Sequence, residues 1–227
     1  MARELTIDGR RISDDTGCFV IAEIGHNHQG SVEQARELLV AARDCGVHAV
    51  KLQKRDNRTL YTRAQFDAPY DNENSFGATY GEHREALELD RGAYAELRAY
   101  AAELGLVLFS TAFDVPSADL LAELDMPAYK IASGDLRNTP LLRHVASLGK
   151  PMLVSTGGAT LEDVDRAVEA VLPLNPQLCL LQCTAAYPAS VEELNLQVIA
   201  TFRDRYPDVV VGLSDHQDGI AMSLVAY

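Results

Sequence analysis

The sequence has no tryptophan, only four cysteines and no apolar run long enough to span a bilayer, and it is short of positive charge, with 20 Lys and Arg against 33 Asp and Glu. Each shortage excludes something. A formal net charge of −13 argues against nucleic acid and anionic membrane as partners, because a polyanion is bound by a basic surface that releases its counterions. A small anionic substrate is not excluded, since a few lysines in a cleft set the local potential there. Cys18, Cys45, Cys179 and Cys183 are too widely spaced for a zinc cage or a disulfide framework. Three of the four lie in apolar contexts, so buried thiols are expected. The charged N-terminus, Met1 to Arg11, lacks the apolar core of a signal peptide, and a cytoplasmic location is expected.

What is present is a regular alternation in a chain of 227 residues that is 47% apolar. Short, nearly continuous apolar runs predict strands over 19–24, 49–53, 106–110, 128–132, 152–155, 179–182 and 209–213, of the kind buried on both faces in a parallel sheet. Helical stretches fall between them. Ser31 with Gln34 predicts a capping box, and Gly46 a stop. A helix over 89–104 presents Tyr94, Leu97, Ala101 and Leu104 on one face and ends at Gly105. Thr139-Pro140 opens a helix that Gly149 closes, Thr160 with Asp163 opens the next, and a further helix is predicted over 194–206, stopped by Pro207.

Seven βα pairs point to an α/β fold, a (β/α)8 TIM barrel with about seven of its units present. A doubly wound open sheet is the alternative, against which the first βα turn, EIGHNHQGS, has no phosphate-binding glycine fingerprint. The chain ends in GIAMSLVAY, an apolar helical phase without a cap, so residues 1–227 are expected to form one incomplete barrel lacking its eighth strand. The connection over 54–88 is unusually long and polar, and its five aromatics, Tyr61, Phe66, Tyr70, Phe76 and Tyr80, predict an ordered lid or substrate wall.

In such a barrel the chemistry lies at the C-terminal strand ends. There the sequence places Glu23, Lys51 with Gln53, Ser110 with Thr111, Lys130 with Ser133, Ser155 with Thr156, Gln182 with Thr184, and Ser214, Asp215 and His216. Any one hydroxyl can simply cap the next helix. Lysines in apolar strands, Lys51 in AVKLQ and Lys130 in AYKIAS, are different, because desolvation of the ammonium must be offset by a bound anion or a carboxylate. Glycines after Ser133 and Thr156 let backbone N–H groups approach a phosphate or carboxylate. His216 is the leading candidate for a metal ligand. His26 and His28 could assist it, although their loop suits a shaping role.

The motifs EIGHNHQGS, VKLQK, PAYKIASGD, GKPMLVSTGG, LQCTAAYP and VGLSDH resemble, in order and spacing, those of the N-acetylneuraminate (sialic acid) synthases and the related spore-coat polysaccharide enzymes. The resemblance implies metal-dependent condensation of phosphoenolpyruvate with N-acetylmannosamine or a related amino-sugar aldehyde, releasing phosphate. By the same resemblance Lys51, Thr111, Lys130, Ser133, Ser155, Thr184 and Ser214 match positions that hold phosphoenolpyruvate, and Glu23 the carboxylate that handles a proton. Gln53, Asp135 and Tyr187 match the sugar side. His216 matches one of two metal histidines, the metal being manganese or magnesium acting as a Lewis acid. The second histidine is expected on the missing strand, and an antifreeze-like domain beyond it reaches across a homodimer in the family. Two departures lie toward the sugar: Ala185 stands where many members have Asn, and Asp135 where they have Glu.

Two other readings compete. A 3-deoxy-sugar phosphate synthase also uses phosphoenolpyruvate on a barrel, but needs extra basic residues for its aldose phosphate, and none stand out in the sequence. A barrel fragment without turnover is the other, since a chain of this length alone is expected to be inactive and to associate through its open edge.

Overall fold

The computed structural model describes residues 3–227; Met1 and Ala2, the start of the expected 1–227 domain, lie outside the described residues. It divides into two compact units, Phe19–Met126 and Pro127–Tyr227, the latter together with the N-terminal segment up to Cys18.

The N-terminal segment is an antiparallel hairpin of β1 (Glu4–Ile7) and β2 (Arg10–Ser13), turned at Asp8-Gly9. Both turn residues have positive φ, +49° and +74°, as a two-residue hairpin loop requires of Asp-Gly. Sequence reading did not anticipate this hairpin. Arg3 anchors its start, bonding Asp14 at 3.0 Å and the Arg203 carbonyl.

The Phe19–Met126 unit contains β3 (Ile21–Gly25), α1 (Val32–Asp44), β4 (Ala49–Lys54), α2 (Asn57–Leu60), α3 (Arg63–Phe66), α4 (Tyr80–Ala86), α5 (Arg91–Glu103), β5 (Val107–Ala112) and α6 (Val115–Glu123). Its strands are parallel, and β3, β4 and β5 pair in chain order. A doubly wound sheet would reverse direction here. Tyr94, Leu97 and Ala101 of α5 are fully buried as the periodicity predicts, each large side chain contributing about 1.5–3 kcal/mol. The Ser31 cap forms, but the expected capping box does not close, because the Gln34 amide bonds the Asn27 carbonyl instead.

The Pro127–Tyr227 unit contains β6 (Tyr129–Ile131), α7 (Thr139–Ser147), β7 (Met152–Ser155), α8 (Leu161–Val171), β8 (Leu178–Cys183), α9 (Val198–Arg205), β9 (Val210–Ser214) and α10 (Ala221–Ala226). β6 to β9 also pair in parallel and in chain order. Thr160 and Asp163 close the predicted capping box on α8. The helix expected over 194–206 begins only at Val198, because Asn195 takes positive φ and breaks the path after a single 3-10 turn at Val191–Glu193. Every predicted strand is present and each is followed by a helix, so the fold is that of a (β/α)8 barrel with seven βα units.

Only Cys179 and Cys183 are buried; Cys18 and Cys45 are exposed, a correction to the expected burial, because both lie where an apolar stretch meets the surface. Among the described residues no helix is long and apolar enough to cross a membrane.

Candidate active site

In the Phe19–Met126 unit the strand ends gather four of the predicted groups. Lys51 and Gln53 share one face of β4 by the two-residue period, with Glu23 beside Lys51 on β3 and Thr111 beside Gln53 on β5. The Lys51 ammonium donates to Thr111 Oγ1 at 2.9 Å and is ion-paired with Glu23, whose other oxygen accepts from the Gln53 amide at 3.0 Å. Burial pushes the Lys51 ammonium below its ordinary range, and the Glu23 charge opposes that. Lys51 is 13% exposed against 45% for Glu23, so the carboxylate is the more open to solvent of the pair. Gly25 makes this packing possible. It has φ +57° at a register shift in β3, and a Cβ there would press on both the Glu23 carboxylate and the Gln53 amide.

Behind this group runs a second polar network that sequence reading missed. Arg55 donates to Gln53 Oε1 at 2.8 Å, lies 3.1 Å from His26 Nε2, and stacks over the Phe113 ring at 3.6 Å. Glu88 lies 3.5 Å from His26 and accepts from Lys54 at 2.9 Å and from the Arg55 backbone. Burial lowers the His26 imidazole, whereas the Glu88 carboxyl is held down against burial by His26 and Lys54. His28 shapes the loop: its Nδ1 accepts from Gly30 N at 3.0 Å, and burial lowers it to about 4. The 54–88 connection is ordered. Tyr80 meets Tyr61 and Tyr70 edge-on, and Tyr70 packs on His83 with centroids 4.6 Å apart.

In the Pro127–Tyr227 unit, buried Lys130 donates to the Ile131 carbonyl at 2.9 Å and to Ser155 Oγ on the next strand. Ser133 Oγ accepts from Gly157 N at 3.0 Å and donates to Cys183 Sγ. Cys183 Sγ lies 3.9 Å from His216 Nδ1, and that nitrogen donates to the Thr184 carbonyl at 2.9 Å. Tyr187, 78% exposed, stacks on the His216 ring at 4.1 Å. Burial alone would raise the Cys183 thiol, but bonds with His216, Ser133 and Ser214 bring it down to about 7. Bonding to Cys183 raises the His216 imidazole against burial. Ser133, Thr184, Tyr187, Ser214 and His216 are thus brought together around Cys183, a residue counted at first as a packing thiol. Asp135 ends the 3-10 turn that begins at Ser133.

Several strand-end groups serve the scaffold. Ser110 bonds Tyr94 and the Thr111 carbonyl, Thr156 the Leu181 carbonyl, Gln182 the Leu194 carbonyl, and Asp215 the Gln217 N–H and Ser223. Each satisfies a local backbone or hydroxyl partner, which the sequence pattern could not distinguish from a ligand-facing role. Thr184 Oγ1 likewise donates to the Glu193 carbonyl.

His216 fits one metal position. Donation from Nδ1 to a carbonyl fixes the tautomer and leaves the Nε2 lone pair for a cation, as in metal-bound imidazoles. Among the described residues no three His, Cys, Asp or Glu side chains are grouped to hold a metal ion.

Comparison with known proteins gives the family and the fold. The NeuB family model matches residues 38–227. The chain is 39% identical over 218 residues to an N-acetylneuraminate-9-phosphate synthase of Mus musculus, covering 96% of this chain and 61% of that one. It is also 39% identical over 215 residues to an N,N'-diacetyllegionaminic acid synthase of Legionella pneumophila, covering 92% and 60%. A solved N-acetylneuraminic acid synthetase of Leptospira borgpetersenii, in complex with citrate, superposes with a TM-score of 0.87 at 28% identity, covering all of this chain and 74% of that one. The chain therefore spans about 60% of the length of the curated relatives it matches.

Proposed function

Because the chain belongs to the NeuB family, we propose that it is the incomplete barrel domain of an enzyme that condenses phosphoenolpyruvate with an N-acylated hexosamine. Phosphoenolpyruvate, the open-chain aldehyde and water give a nonulosonic acid and inorganic phosphate, with one new carbon–carbon bond.

One device, present in both units, carries the reading. A lysine largely shielded from solvent on one strand donates to a hydroxyl on a neighbouring strand: Lys51 to Thr111, and the buried Lys130 to Ser155. An ammonium that donates to the hydroxyl oxygen leaves the hydroxyl's own proton free to donate, so a phosphate or carboxylate oxygen can meet both a charge and a donor. Such charge-assisted bonds are worth roughly 1.5–3 kcal/mol each. Lys51, Thr111, Lys130, Ser133, Ser155, Thr184 and Ser214 bind phosphoenolpyruvate in this reading. Glu23, solvent-reached and fixed by Lys51 and Gln53, takes or gives the proton at the reacting carbonyl. Gln53, Asp135 and Tyr187 face the sugar.

His216 supplies one ligand to a divalent metal, manganese or magnesium, whose chemistry when bound is polarisation of the aldehyde oxygen. Tyr187 holds the imidazole face and the Thr184 carbonyl its edge, so the ring is fixed whether or not a cation is bound. The whole protein acts as a cytoplasmic homodimer in this reading.

The test uses the full-length protein with phosphoenolpyruvate, Mn2+ and a panel of N-acylated hexosamines. Phosphate release that depends on both the sugar and the metal is expected. Silence across the panel from folded protein contradicts the proposal.

A further inference from the structure

Arg137 is exposed and lies outside the groups assigned to substrate, yet it spans two of the loops that carry them. It follows the 3-10 turn that begins at Ser133, and its guanidinium reaches the loop after β7. There one terminal nitrogen donates to the Gly158 carbonyl at 3.0 Å, while Nε pairs with Asp163 at 3.0 Å. The buried Asp163 carboxylate also accepts from the Thr160 N–H and hydroxyl, each at 3.0 Å, and from Arg166. Bonds from the Thr160 N–H and from Arg137 hold its carboxyl well below the ordinary range, so the pair keeps its charge through neutral pH. Asp163 needs no second arginine: Thr160 completes the α8 cap, and Arg166 balances the charge. What Arg137 adds is the bond to Gly158, a bridge between the ends of the paired strands β6 and β7.

That bridge falls where the backbone is freest. Gly157 and Gly158 are the middle residues of a turn closed by the Ala159 N–H on the Thr156 carbonyl at 3.2 Å, and Gly158 takes φ +68°. Two successive glycines lose more conformational freedom on ordering than any other pair, so an unanchored turn samples many orientations of its N–H groups. Here both sides are tied. On one side the Gly157 N–H donates to Ser133 Oγ at 3.0 Å, in a contact so close that a Cβ on Gly157 would stand 2.9 Å from that oxygen. On the other, Arg137 holds the carbonyl and Thr156 the N–H of the peptide that joins Gly158 to Ala159. Because Arg137 leaves from the Ser133 side, one side chain closes the frame around the Ser133–Gly157 bond.

We infer that Arg137 is a positioning residue for the phosphorylated acid: through Gly158 it freezes the glycine turn against Ser133 before the acid arrives. The inference rests on the assignment of Ser133 to phosphoenolpyruvate proposed above, and adds to it a residue that acts through the backbone. A donor fixed in advance gains affinity because the ligand does not have to order it.

The test compares full-length wild type with Arg137→Met, Arg137→Gln and Arg166→Gln. Arg166→Gln takes the same charge from the same carboxylate but leaves Gly158 bonded. Amide exchange at Gly157 and Ala159, followed without ligand, is expected to quicken several-fold in Arg137→Met and to hold in Arg166→Gln, and equal rates in all the proteins overturn the clamp. Phosphoenolpyruvate affinity, by calorimetry, is expected to fall about 3- to 10-fold in Arg137→Met, the range of one lost hydrogen bond. It should recover in part in Arg137→Gln, whose amide can still donate to the Gly158 carbonyl. In turnover the loss falls on the KM for phosphoenolpyruvate and not on kcat. Faster exchange with unchanged affinity overturns the inference, leaving Arg137 a structural tie alone. An Arg137→Gln no better than Arg137→Met overturns it too, since a charge that merely attracts the acid behaves so. If Arg137→Met does not fold, by circular dichroism, Arg137→Lys is read in its place: it keeps the charge but not the fork, and a several-fold loss is expected, with equal affinity contradicting. A wild type that binds no phosphoenolpyruvate contradicts the condensation itself, and the exchange rates still judge the clamp.

Discussion

A histidine with almost no exposed surface, His28, accepts a backbone bond from Gly30 and so must stay neutral to hold its loop. Unfolded, it titrates near 6.5; folded, burial and His26 lower it to about 4. Between those values the unfolded chain binds the extra proton. The stability that neutral His28 contributes is therefore complete above 6.5 and is lost as pH falls toward 4, on the order of 3 kcal/mol. Unfolding midpoints of wild type and His28→Gln should converge on acidification from pH 7 to 4.5, and a pH-independent gap between them contradicts this. Legibility at this scale varied. Lys51 and Lys130 stood out because an ammonium in an apolar strand demands a counter-group. Arg55 and Glu88 did not, because sequence gives no sign that residues 26, 55 and 88 meet. Cys183 was hidden by its own apolar strand, although alternation with Gln182 put it on the face opposite that residue.

Elements were legible where local chemistry spoke alone. Thr160 and Asp163 predict their reciprocal cap, and the structure forms it. Thr160→Ala removes the acceptor for the Asp163 N–H and should cost about 1 kcal/mol, seen as a lower urea midpoint at constant m-value. An unchanged midpoint would show that burial of Val164, Ala167, Val168 and Val171 fixes α8 without its cap. The Asp8-Gly9 turn carries its own hairpin signal, but the charged residues on both sides mask the short strands it joins. The late start of α9 was not legible, since Asn195 reveals its left-handed backbone only once its side chain bonds the Glu193 carbonyl. In the 54–88 connection the aromatics predict order, but not the three short helices that supply it.

For the molecule as a whole, the βα count identified the fold class, because seven apolar strands in one direction admit few windings and each unit pairs its strands in chain order. Charge at this scale sets a further constraint. A net charge of −13 repels a phosphorylated acid, so affinity must come from lysines shielded from solvent, whose field is screened little: Lys130, buried, and Lys51, 13% exposed. Phosphoenolpyruvate binding to the full-length protein, measured by calorimetry in wild type, Lys51→Met, Lys130→Met and the control Arg63→Gln, tests that claim most directly. Arg63 is 95% exposed and removes the same charge from the surface. The account predicts at least a tenfold loss of affinity in each lysine variant and little change in the control, and equal affinity in all four proteins would contradict it.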